Sequence, residues 1–140
     1  MPVKRIVFLA LVLGAAFLVM RWPLVNDVET GRSPGYPDLK APEYRAGEEQ
    51  VAKAVKAAIE RLPRWQYVGA GSGPAGHAVQ ALYRTPLLGL EHDVTVRIKR
   101  DGAVTRVSVR SKSRSGRIDL GQNARVIGEL LAALQRELPG

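Results

Sequence analysis

Residues 92–111 read HDVTVRIKRDGAVTRVSVRS. In the first half Val94, Val96 and Ile98 alternate with Thr95, Arg97 and Lys99. In the second half Val107 and Val109 alternate with Arg106, Ser108 and Arg110. A period of two marks a strand with one buried and one open face. Arg100-Asp101-Gly102 between the runs is a hairpin signal. The stretch therefore predicts two adjacent antiparallel strands, with the aliphatic residues toward a core and the arginines away from it.

The neighbouring sequence extends this sheet. Residues 65–70 (WQYVGA) and 77–84 (HAVQALYR) are two further strand candidates. The run GAGSGPAG at 69–76 lacks the Lys-Ser/Thr of a phosphate-binding loop, and it lies between strands. It is expected to be a flexible hairpin loop. Residues 48–62 (EEQVAKAVKAAIERL) repeat apolar side chains at helical spacing, open with two acids and are stopped by Pro63. A second helix is predicted over 120–138, striped by Ile127, Leu130, Leu131, Leu134 and Leu138. Asp119 is its expected N-cap, with Gln122 completing a capping box and Asn123 tying the helix to the sheet. The predicted fold class is α+β. An antiparallel sheet of about four strands, packed by two helices, forms a two-layer domain over 47–140, an arrangement that resembles a helix-grip fold.

Two segments precede this domain. Residues 26–46 carry Gly31, Pro34, Gly35, Pro37 and Pro42 and keep no period, so a tether or irregular arm is expected. Residues 6–20 (IVFLALVLGAAFLVM) are uncharged and follow Lys4 and Arg5. That is the opening of either a cleaved signal or an uncleaved signal-anchor. Gly14, Ala15 and Ala16 lie in mid-stretch, where a peptidase site would not, which favours an anchor over 1–25. Phe8, Phe17 and Trp22 are then its membrane-contacting residues. The more basic flank would stay in the cytoplasm, so the expectation is a single-pass inner-membrane protein with a periplasmic domain.

The whole chain has 140 residues, a net charge of +8, two histidines and no cysteine. The lack of cysteine excludes disulfides, thiolate zinc sites, iron–sulfur clusters and cysteine nucleophiles. Two histidines do not build a histidine-rich metal centre, so no metal and no cofactor are expected. The charge is localised. Residues 97–117 hold Arg97, Lys99, Arg100, Arg106, Arg110, Lys112, Arg114 and Arg117 against the single acid Asp101. The functional interpretation is an anion- or partner-binding surface built from Arg97, Arg106, Arg110, Ser113, Arg114 and Arg125, strongest beside the second helix's start. The plainer interpretation is a solvated face whose arginines pair with Glu91, Asp93 or Glu129. Export makes nucleic acid an unexpected partner. No G-x-S-x-G or suitably placed pair of carboxylates points to catalysis.

VNDVET at 25–30, Trp65, DVTVRI at 93–98 and VRSKSRSGRIDLGQNARVI at 109–127 resemble the bacterial domain-of-unknown-function family 1499. The resemblance spans roughly residues 25–137. It implies a small protein with an N-terminal membrane segment and implies no established activity. His92 stands before Asp93 where the resemblance leads one to expect paired acids, which speaks against a carboxylate metal site. The expected function is a membrane-anchored, non-catalytic binding or accessory protein whose basic sheet face meets an anionic partner. Two alternatives are a single-span accessory subunit of a larger membrane complex and a lipid or amphiphile binding module, with membrane lipids as partners.

Overall fold

The computed structural model describes residues 2–21, 26–115 and 121–138, with residues 18–21 described by their backbone alone. In chain order the elements are α1 (Val3–Arg21), β1 (Asp27–Glu29), β2 (Glu43–Tyr44), α2 (Glu48–Arg61), β3 (Trp65–Gly73), β4 (Gly76–Arg84), β5 (Glu91–Asp101), β6 (Val104–Ser113) and α3 (Gln122–Glu137). The sheet has six strands in the order β1-β6-β5-β4-β3, and β2 also pairs with β6. Every pairing is antiparallel.

The β5–β6 hairpin is the centre of this sheet. Val94, Val96, Ile98, Val107 and Val109 are all fully buried, and Val96 stands opposite Val109. Each such side chain contributes about 1.5–3 kcal/mol of apolar burial. The strands are joined by Gly102-Ala103, with Gly102 at φ +61. A glycine in the first position of a two-residue turn supplies the twist that the hairpin needs.

α2 and α3 cover the apolar face. Val51, Val55 and Ile59 of α2 and Ile127, Leu130 and Leu134 of α3 are fully buried against the sheet. The layer between sheet and helices is filled by side chains.

Three expectations need correction. The first concerns four strands against six. Residues 26–46 are not a bare tether, because β1 and β2 extend the sheet along β6. Val28 is fully buried and Tyr44 is 8% exposed, so the arm contributes to the core. Strands of three and two residues are too short to show a period, which is why the sequence pattern hides them.

The second concerns the membrane-spanning helix over 1–25. No helix among the described residues is long and apolar enough to cross a membrane. The uncharged run Ile6–Met20 lies between Lys4-Arg5 and Arg21. At about 1.5 Å per residue it reaches roughly 22 Å, short of a hydrocarbon core of about 30 Å. Phe8 and Phe17 are exposed on α1, and Trp22 lies outside the described residues.

The third concerns the hairpin at 69–76. It is largely strand: β3 and β4 run to Gly73 and from Gly76, leaving only Pro74-Ala75 as the turn. Gly76 has φ +98, and a Cβ there would collide with the backbone carbonyl of Ile98 on β5. β3 is an edge strand, bulged between Tyr67 and Gly69. A bulged, glycine-rich edge discourages pairing with other chains.

Candidate functional site

The open face of the sheet is laid out by strand register. Arg97 lies opposite Ser108, Thr95 opposite Arg110 and Lys99 opposite Arg106. Arg97 is therefore diagonal to both Arg106 and Arg110, within reach for long side chains. The acids that offset these charges come mostly from the strands the sequence pattern hides. Asp27 of β1 receives two hydrogen bonds from Arg110, through Nε and Nη2. Glu43 of β2 receives two from Arg106, at 3.2 and 2.8 Å. Glu29 of β1 sits 3.8 Å from Arg97. Arg114 is clamped by Asp93, which accepts from Nε and Nη2, and by Glu91, which accepts from Nη1.

These pairings leave an electrostatic signature. The hydrogen bond from Arg110 holds the Asp27 carboxyl below the usual carboxylate range. The Arg106, Arg110 and Arg114 guanidiniums are each pushed up by a hydrogen bond to their carboxylate partner. The arginines of this face thus pair internally, but only Arg114 does so with Glu91 and Asp93, the partners the plainer interpretation names; Arg97, Arg106 and Arg110 use Glu29, Glu43 with Asp101, and Asp27. Glu129 does not join them, because its Oε1 accepts from the Trp65 indole at 3.1 Å.

One part of the face is less compensated. Ala75, Arg97, Lys99, Arg100, Asp101, Arg106 and Ser108 line a shallow basin of about 410 Å³. It holds four cations and one carboxylate. Arg106 pairs with Glu43 and Asp101. Among the described residues Lys99 and Arg100 enter no salt bridge, and Arg97 has only its long contact with Glu29. The rim is fixed by Glu48 at the start of α2. Its Oε1 accepts the Arg100 backbone N–H at 2.6 Å, and its Oε2 lies 3.3 Å from His77 Nδ1. The Arg100 N–H is also the main reason that the Glu48 carboxyl lies below its ordinary pKa.

The other end of β5 and β6 is built differently. His92, Ser111, Ser113 and Asn123 are buried together where α3 meets the sheet. His92 Nδ1 lies 2.8 Å from Asn123 Oδ1, which also accepts from Ser111 Oγ at 2.7 Å. Asn123 Nδ2 donates to the Asn26 carbonyl at 2.7 Å and to Ser113 Oγ at 3.1 Å. A buried polar network of this kind is stable only if its members are satisfied. Outside it lies a cleft of about 370 Å³, whose walls include His92, Ser113, Gln122, Arg125, Leu88 and Leu90.

The residues expected to bind an anion are thus divided. Arg97 and Arg106 share the basin, Arg110 and Arg114 sit in ion-pair clamps, and Ser113 and Arg125 reach the cleft. Asn123 does tie helix to sheet. Asp119 lies outside the described residues. α3 opens at Gln122 with Gly121 as N-cap, so Gln122 does not occupy the third helical position that a capping box from Asp119 requires. The sequence reading passed over Lys99 and Arg100 as site residues, although both belong to its basic cluster. It also passed over His92, whose strand-start position gives no sign of an inward partner 31 residues away.

The fold and these two recesses define a small α+β domain with a charge-laced open sheet face. The chain belongs to the family described as protein of unknown function (DUF1499), whose family model matches residues 20–134. No curated protein matches it. Among solved structures, a solution structure of a Cytophaga hutchinsonii protein, a Northeast Structural Genomics Consortium target, is similar at 10% identity. The similarity covers 81% of this chain and 88% of that one, with a TM-score of 0.32.

Proposed function

We propose that this protein is a non-catalytic binding module that holds an anionic partner on its open sheet face, with the hairpin basin as the contact point. The observation that carries this reading is the basin's lining, with Arg97, Lys99, Arg100 and Arg106 around one carboxylate, Asp101. Arginine forks and a lysine point charge at the same recess suit phosphate or carboxylate oxygens. Ser108 adds a neutral hydroxyl donor at the floor. Arg110 and Arg114 do not grip the partner, since each is already held by acids of this chain.

Calorimetric titration with tripolyphosphate tests the reading. Binding should weaken steeply with added salt, because exposed charges are screened over about 8–10 Å at physiological ionic strength. Lys99→Glu should abolish it, while Lys112→Glu, outside the basin, should leave most of it. Equal loss in the two variants would mean that only net charge matters, and the basin would not be the site.

Export of the domain belongs to the same reading. Its support is the basic pair Lys4-Arg5 directly before the uncharged apolar run Ile6–Met20. An alkaline phosphatase fused to the C-terminus should be active. An inactive fusion, with an active cytoplasmic reporter at the same position, would remove this part of the proposal.

A further inference from the structure

The end of the sheet opposite the basin carries an apolar turn. Thr85-Pro86-Leu87-Leu88-Gly89-Leu90 joins β4 to β5. Leu87 is 105% exposed and Leu88 79%. Hydrogen bonds hold the turn in shape. The Thr85 N–H donates to the Leu90 carbonyl at 2.9 Å, the Gly89 N–H to the Thr85 carbonyl at 3.1 Å, and the Leu90 N–H to Thr85 Oγ1 at 2.9 Å. Leu87 has φ +67, in the left-handed region that favours glycine or asparagine. With its side chain wholly in water, no packing inside the domain offsets that backbone strain. Strain and exposed apolar side chains coincide where a surface is built to meet something else.

The surroundings of the turn say what it meets. Asn26, the first described residue after α1, accepts the Ser113 N–H at 2.9 Å, and Ser113 stands opposite His92, next to the strand end that leaves the turn. The chain from α1 thus enters two strand spacings, about 10 Å, from that strand end. Four residues separate Arg21 from Asn26, so α1 ends within about 18 Å of the entry point. Ile6, Val7, Phe8 and Leu9 go once round α1 at about 100° per residue, and each is more than half exposed. A helix that is apolar on every side belongs in a protein core or in lipid. The charge at this end is basic. Arg64, whose carbonyl accepts the Arg84 N–H at 3.0 Å, and Lys112 are exposed, and neither enters a salt bridge among the described residues. The acids beside them, Glu91 and Asp93, are held by Arg114.

We propose that this end of the domain docks on an anionic lipid bilayer, with Leu87 and Leu88 in the interface and Arg64 and Lys112 at the headgroups. A second copy of the chain fits less well, because a two-fold contact through this end would set its cations against each other. The inference does not rest on the basin, which lies the length of β5, about 33 Å, from the turn and faces away from the bilayer.

The chain has no cysteine, so Leu88→Cys and Ala103→Cys each give a single attachment point for a polarity-sensitive dye, at opposite ends of the sheet. The full-length labelled proteins are mixed with vesicles of phosphatidylcholine and phosphatidylglycerol. The dye at 88 should shift to the blue, be quenched by nitroxides on the lipid chains and be protected from aqueous iodide. The dye at 103 should stay open to iodide. Tethering by α1 alone would leave both dyes open. Arg64→Gln, introduced into the Leu88→Cys protein, should lower the ratio of docked to undocked turn about fivefold, and Leu87→Asp at least as much. An unchanged Tm in Leu87→Asp separates lost docking from a lost fold, and Lys99→Glu should dock like the wild type. The proposal is overturned if the dye at 88 stays open to iodide on these vesicles, if the dye at 103 is shielded equally, or if Arg64→Gln and Leu87→Asp dock like the wild type. A blue shift at 88 that appears without lipid and grows with protein concentration would also overturn it, by showing that a second copy covers the turn.

Discussion

His92 Nδ1 lies 2.8 Å from Asn123 Oδ1, which joins the start of β5 to the first turn of α3. The same asparagine reaches the Asn26 carbonyl just before β1. One fully buried side chain thus connects three parts of the chain that are far apart in sequence. Asn123→Ala would take away the acceptor of the Ser111 hydroxyl and leave a void beside His92 Nδ1 and the Asn26 carbonyl, each of which keeps its contact with Ser113. The expected cost is about 2–4 kcal/mol, because the orphaned buried hydroxyl carries a desolvation penalty and the void loses its contacts. Urea unfolding of the two proteins measures it, and Asn123→Asp should be no rescue, since it introduces a buried charge.

The pairing of Asp27 with Arg110 makes stability pH-dependent in a definite direction. Folding lowers the Asp27 carboxyl below its ordinary value of 3.8, chiefly through the Arg110 hydrogen bond. The pair therefore contributes fully above that value, and its contribution is lost as pH falls through the folded value. Asp27→Asn should be less stable than wild type at neutral pH, and the gap should narrow in acid. Melting temperatures across the acid range check this. A gap that stays constant would show that the carboxylate charge is not the source.

Gly76 is fixed by geometry and not by function. Its φ of +98 and its approach to the Ile98 carbonyl leave no space for a side chain. Gly76→Ala should cost about 1–3 kcal/mol. Gly71→Ala, in the same ribbon but with open space around its Cβ position, should be close to neutral. Thermal melts of both variants make the comparison.

Periodicity made the hairpin legible. The five aliphatic residues assigned to the core face of β5 and β6 are all fully buried. So did helical spacing for α2 and α3, whose buried stripes include Val51, Val55, Ile127 and Leu130. What the pattern cannot carry is pairing between distant segments. Asp27 and Arg110 are 83 residues apart, and Glu43 and Arg106 are 63 apart. The basic cluster therefore reads as an uncompensated +7 in one dimension, while in three dimensions β1 and β2 bring acids across it. The same limit hid His92, because an ordinary histidine at a strand start looks identical whether its ring faces water or a buried asparagine. Apolar composition alone also overstated α1, where the distance between flanking charges decides whether a span is possible.

The central claim is that the uncompensated charge lies at the hairpin basin and not at the Arg110–Arg114 end of the face. Mapping backbone amide shifts of the 15N-labelled protein during a tripolyphosphate titration tests it most directly. The account predicts saturable shifts centred on Arg97, Lys99, Arg100 and Ser108, which disappear in Lys99→Glu and persist in Arg114→Gln. Shifts centred on Lys112 to Ser115, lost in Arg114→Gln and unaffected by Lys99→Glu, would contradict it.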